Sequence, residues 1–106
     1  MKVLLLGGGG REHALAWKLA QSPALTQLWA APGSDAIAEL AERVPLDALD
    51  PAAVASFIKG NGVELVVVGP EAPLAAGVSD AARAAGALVF GPSREAARLE
   101  TSKAFA

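Results

Sequence analysis

The stretch "LLLGGGGREHA", Leu4 to Ala14, sets four consecutive glycines and an arginine directly after a short apolar run. Glycine lets backbone N–H groups approach a ligand closely, and a helix that starts just after such a loop adds roughly half a positive charge at its N-terminus. An anion the size of a phosphate is the natural guest for that combination. Arg11 can add charge-assisted hydrogen bonds to it. Gly8, Gly9, Gly10 and Arg11 are therefore the candidate phosphate-binding residues. The competing reading is that the glycines only make a tight turn, although one turn does not need four of them.

A dinucleotide is the other familiar guest of such a loop. Its fingerprint requires a third glycine where helix and strand pack closely, and an acid near the end of the second strand to hold a ribose. Counted from Gly7 and Gly9, the third position holds Glu12; counted from Gly8 and Gly10, it holds His13. The second strand ends at Pro32 rather than at an acid. The fingerprint fails at both places.

A second constellation is "VVVGPEAPL", Val66 to Leu74. In open α/β sheets, ligands bind beyond the carboxyl ends of the strands where strand order reverses, commonly between the first and fourth strands. Gly69, Pro70 and Glu71 would then face the glycine loop. Glu71 could accept hydrogen bonds from ribose hydroxyls or an amine, while Pro70 and Pro73 stiffen the turn. Equally, Glu71 in the first turn of the next helix would suit the helix dipole. His13, a lone histidine early in a helix, reads as a capping group or one that supports the ligand contacts from behind, not as a catalyst. Trp17 and Trp29 read as packing or as an interface. No residue is assigned a catalytic role and none a metal, and the absence of cysteine excludes disulfides and thiolate zinc sites.

These residues need elements to position them. Val3 to Leu6 is a short apolar run, as expected of a strand buried on both faces of a parallel sheet. Arg11 to Gln21 follows as a helix, with Leu15, Ala16, Leu19 and Ala20 on one face. A second strand begins at Gln27 and is ended by Pro32 and Gly33; Arg43 to Leu46 reads as a short third one, with Ser34 to Glu42 undecided between them. Asp50 before Pro51 is an N-cap with proline at the first helical position, and Val54, Phe57 and Ile58 recur at helical spacing until Gly60 and Gly62. Val63 to Val68 is the fourth strand. Val78, Ala81, Ala82 and Ala85 mark one face of the next helix, Leu88 to Phe90 a last strand, and Ser93 the cap of a final helix. Strands and helices alternating in this way predict an α/β fold, a doubly wound, Rossmann-like parallel sheet of about five strands.

The chain of 106 residues fits one domain, and its 53% hydrophobic content suffices to bury one core. A net charge of -2, with nine Lys and Arg residues scattered along the chain, offers no basic field for nucleic acid. The apolar run after Lys2 is too short for a secretory signal and no run reaches membrane-spanning length, so a cytoplasmic location without membrane partners is expected.

Taken together, "GGGGREHALAWKLAQSP", "APG", "VVVGPEAPLAAGV" and "FGPSREAARLETSKAF" resemble the amino-terminal domain of the glycinamide ribonucleotide synthetase family, the phosphoribosylamine-glycine ligases, along the whole chain. The resemblance implies a purine-biosynthetic ligase that joins 5-phosphoribosylamine to glycine through a glycyl phosphate, using ATP and magnesium. It implies that both are bound outside this chain, by an ATP-grasp domain that follows. Residues 1–100 would form the Rossmann-like amino-terminal domain, and residues 101–106, with Ser102 and Lys103, the start of the junction. The phosphoribosyl group would be the ligand here, the rest of the ligase the partner, and the isolated chain inactive and prone to self-association. One departure concerns the loop after Gly33, where Ser34, Asp35 and Ala36 stand in place of the family's frequent asparagine and small residues. Two other readings stay open: a dinucleotide-binding fragment of an oxidoreductase, and a non-catalytic interaction module.

Overall fold

The computed structural model describes residues 1–48, 50–69 and 77–90. Its strands are β1 (Lys2–Gly7), β2 (Gln27–Pro32), β3 (Glu42–Arg43), β4 (Leu65–Val68) and β5 (Leu88–Phe90). They form one sheet in the order β3-β2-β1-β4-β5, and every neighbouring pair is parallel. The helices are α1 (Gly10–Ala20), α2 (Pro51–Asn61) and α3 (Val78–Ala84).

Strand alternation sends β1 side chains to two different cores. Leu4 and Leu6 pack with Val66 and Val68 of β4 against Val54 and Ile58 of α2 and Val78 and Ala82 of α3. Val3 and Leu5 pack with Leu28, Ala30 and Val67 against Ala16 of α1 and Ile37. One face is thus covered by α2 and α3 and the other by α1, the doubly wound arrangement expected. This explains why β1 is apolar without interruption: a central parallel strand has no solvent face. Each fully buried leucine of β1 contributes about 1.5–3 kcal/mol of burial. Trp29 belongs to this packing, edge-on to Phe57 with ring centroids 5.4 Å apart, whereas Trp17 is exposed.

Local chemistry sets the element ends. The Asp50 side chain accepts hydrogen bonds from the N–H groups of Ala52 (3.0 Å) and Ala53 (3.3 Å), capping α2. Gly60 lies inside α2, and the helix stops instead at Gly62, whose φ of 66° is left-handed. The undecided stretch after Gly33 holds a single 3-10 turn, Ile37–Glu39, whose Ile37 N–H donates to the Ser34 hydroxyl at 3.2 Å. β3 is shorter and earlier than the Arg43 to Leu46 expected: the Val44 N–H still donates to the Ala30 carbonyl of β2 at 3.0 Å, but Pro45 has no N–H to continue the ladder, the Leu46 N–H turns back to the Val44 carbonyl at 2.8 Å, and both side chains pack on the α2 side. β5 is an edge strand: Val89 turns to the α2–α3 core while Leu88 and Phe90 are 69% and 66% exposed. The helix expected at Ser93 lies outside the described residues. Among the described residues, no helix is long and apolar enough to cross a membrane.

Candidate functional site

The carboxyl edge of the sheet gathers three backbone segments. Gly7 ends β1; the Gly33 N–H, just past β2, donates to the Gly7 carbonyl at 3.1 Å, and the Gly69 N–H, just past β4, donates to the Leu6 carbonyl at 2.9 Å. The chain leaves β1 for β2 on one side and returns as β4 on the other, so strand order reverses here. This is the place where open α/β sheets hold ligands.

The four glycines of the loop have different surroundings. Gly7 has φ 131°, and a Cβ on it would lie 2.5 Å from Glu12 Cγ and 2.7 Å from Glu12 Cδ. A Cβ on Gly8 would lie 2.5 Å from the Gly33 carbonyl oxygen. Both positions are glycine because the fold leaves no room. Gly9, the N-cap of α1, has the extended backbone (φ -84°, ψ -175°) open to any residue, and Gly10 has nothing within 4 Å of a Cβ. The N-cap Gly9 has no side chain to cap α1, and the first-turn N–H groups of Gly10 and Arg11 have no intrahelical acceptor. Arg11 is exposed beside them, and among the described residues it forms no ion pair. His13 is half-buried one turn in, and its N–H donates to the Gly9 carbonyl at 3.0 Å.

Gly8, Gly9, Gly10 and Arg11 thus share one end of the fold with buried Gly69. Pro70, Glu71 and Pro73 lie outside the described residues, as do Ser102 and Lys103. Ser34 and Asp35 have structural partners: Ser34 holds the 3-10 turn, and Asp35 Oδ1 pairs with Arg43 Nη1 at 3.1 Å. Among the described residues, no three His, Cys, Asp or Glu side chains cluster closely enough to hold a metal ion.

Sequence reasoning passed over Glu12. It is fully buried, the one charged side chain so placed among the described residues. A Cβ on Gly69 would fall 2.5 Å from Glu12 Cδ and closer still to Cγ and Oε1. The side chain therefore packs over the ends of β1 and β4, against both glycines. The signal was available: Glu12 precedes Ala16 by four residues and so falls on the helix face that Ala16 and Leu19 turn to the sheet.

The phosphoribosylglycinamide synthetase N-domain family matches residues 1–100. The phosphoribosylamine--glycine ligase of Streptomyces coelicolor is 63% identical over 106 residues, covering 100% of this chain and 26% of the relative. That of Agrobacterium fabrum is 60% identical over 105 residues, 99% of this chain and 25% of the relative. The chain therefore spans about a quarter of the length of these relatives. Among solved structures, an apo histidine-tagged saccharopine dehydrogenase (L-Glu forming) from Saccharomyces cerevisiae matches with a TM-score of 0.66 and 21% identity, over 92% of this chain and 23% of its own. That likeness concerns the fold alone and agrees with the Rossmann-like sheet. With its whole length matched at this level of identity, the chain belongs to the phosphoribosylglycinamide synthetase N-domain family.

Proposed function

We propose that this chain is the amino-terminal, substrate-binding domain of an ATP-dependent ligase that joins 5-phosphoribosylamine and glycine to give glycinamide ribonucleotide in purine biosynthesis. In this reading the loop of Gly8, Gly9, Gly10 and Arg11 holds the phosphate of the phosphoribosyl group, and Glu71 orients its ribose or amine. The observation that carries it is the start of α1: an uncapped helix N-terminus beside an exposed arginine, at the edge where strand order reverses. Family membership favours the phosphate of a phosphoribosyl compound as that anion. The domain's role is positioning, which raises the effective concentration of one reactant at the reacting centre. ATP and magnesium belong to an ATP-grasp domain beyond this chain, and the rest of the ligase is its partner. The exposed Leu88 and Phe90 support such a contact, and also self-association of the chain when alone.

The dinucleotide reading draws on fold likeness, and Glu12 in place of the third glycine argues against it. Titration of the chain with ribose 5-phosphate, glycinamide ribonucleotide and NAD separates the two. Millimolar affinity for the phosphoribosyl compounds, about -4 kcal/mol, is expected, with weakening in Arg11→Ala. NAD binding tighter than every phosphoribosyl compound would overturn the proposal.

A further inference from the structure

Glu12 is unused by the reading above, yet it is fully buried, as glutamate is only when paired, and it lies against two strand ends at once. In dinucleotide-binding folds, the close packing of the first helix on its strands is achieved by a glycine on the helix. Here the arrangement is inverted. The helix carries the long side chain, and the two strand-end residues it meets, Gly7 and Gly69, are the glycines. The ends of β1 and β4 are joined by the Gly69 N–H to Leu6 carbonyl bond, and the first turn of α1 is held above both by a side chain of definite length.

We propose that Glu12 is a positioning residue for the phosphoribosyl site: packed over Gly7 and Gly69, it sets the height of the first turn of α1, and with it the glycine loop, above the carboxyl end of β4, the two walls of the crevice. The inference rests on the phosphoribosyl reading of that crevice. Glu12 has no exposed surface and does not touch the ligand itself. Its effect is on geometry. A ligand gripped at its phosphate by one wall and at its sugar by the other needs the walls at a fixed spacing, and small misplacements cost much of the second contact. A free phosphate, held by the loop alone, does not.

The test is a pair of NMR titrations of the whole chain, with ribose 5-phosphate and with inorganic phosphate, in wild type, Glu12→Asp, Glu12→Ala and Glu12→Gln. Shortening the side chain in Glu12→Asp and Glu12→Ala is expected to weaken ribose 5-phosphate at least tenfold and phosphate less than twofold. Glu12→Gln, of equal length, is expected within threefold of wild type for both. The ratio of the two affinities is the decisive quantity, because general loosening of the fold would lower both together. Should Glu12→Ala fail to fold, judged by amide dispersion, the Asp and Gln variants carry the comparison. An unchanged ratio in Glu12→Asp, or equal loss for both ligands, overturns the proposal. Arg11→Ala, titrated alongside, separates the failures. If it weakens both ligands while Glu12→Asp leaves the ratio intact, only the positioning role is wrong. If wild type binds neither ligand, the phosphoribosyl reading falls and the positioning role falls with it.

Discussion

Gly69→Ala isolates the packing over the two strand ends. The backbone at Gly69 is outside the left-handed region, so alanine meets no backbone strain there. What it meets is Glu12. The new Cβ would lie 2.5 Å from Cδ where ordinary contact begins at 3.4 Å, an overlap of about 0.9 Å, and the neighbouring Cγ and Oε1 are closer. Glu12 is packed against Gly7 as well and is fully buried, so a shift away from Gly69 must displace other buried atoms. The cost belongs at the upper end of overpacking, about 2–3 kcal/mol. For a domain near this size that lowers the melting temperature by about 10–20 °C. Gly10→Ala is the control: nothing lies within 4 Å of its Cβ, and alanine at a helical position is neutral or stabilising by up to about 1 kcal/mol. The decisive measurement is a double-mutant cycle by urea denaturation. In a Glu12→Ala background the overlap is gone, and Gly69→Ala should cost less than about 0.5 kcal/mol, giving a coupling near 2 kcal/mol. Equal cost in both backgrounds, or a Gly69→Ala variant as stable as Gly10→Ala, would refute the geometry.

Three further outcomes are expected. Asp50→Ala removes the acceptor for two first-turn amides of α2 and should lower stability by about 1 kcal/mol in thermal melts, with Asp50→Asn close to wild type. Gly9→Val fits the extended N-cap backbone, so it should abolish ribose 5-phosphate binding in titrations while costing no more than about 1 kcal/mol of cap stability; normal binding by a folded variant would remove the loop from the site. The chain alone, mixed with ATP, magnesium, glycine and phosphoribosylamine, should release no ADP above a matched blank, because phosphoryl transfer depends on charge neutralisation by metal and cationic groups.

Much of the fold was legible because local and global signals agree. The apolar runs at β1 and β4 have no solvent face and therefore no alternation to misread, and the Asp50–Pro51 cap announces α2 by itself. Legibility failed where tertiary packing decides. Gly60 reads as a helix stop, yet an open face tolerates it inside α2, and the left-handed residue that ends the helix is Gly62. Leu46 looks like a strand residue and is apolar for a different reason, since it packs on the α2-side core while its N–H turns back to the Val44 carbonyl instead of joining the ladder. In the candidate site, the glycine loop was visible in the sequence but its internal division was not. That division depends on Gly33 and Glu12, one remote in the chain and one hidden on a helix face.

The division also changes what the four glycines mean. Gly7 and Gly8 are demanded by the fold, by a buried carboxyl group and by the Gly33 carbonyl, and would be glycine in a domain that bound nothing at this end. Gly10 meets no such demand, since it faces open space, and the backbone of Gly9 is one that any residue adopts. Glycine in a helix interior costs about 1 kcal/mol relative to alanine, and at an N-cap it is outperformed by serine, aspartate and asparagine. Neither position therefore gains stability from glycine through its backbone. A ligand that needs the first-turn amides bare supplies the missing reason, since any N-cap hydroxyl or carboxylate would occupy the donors the anion requires. An anion is thus indicated by Gly9 and Gly10 rather than by the length of the glycine run. That makes Gly9→Ser a sharper probe than removal of Gly8: serine should raise stability by a few tenths of a kcal/mol while competing with the phosphate for the same N–H groups.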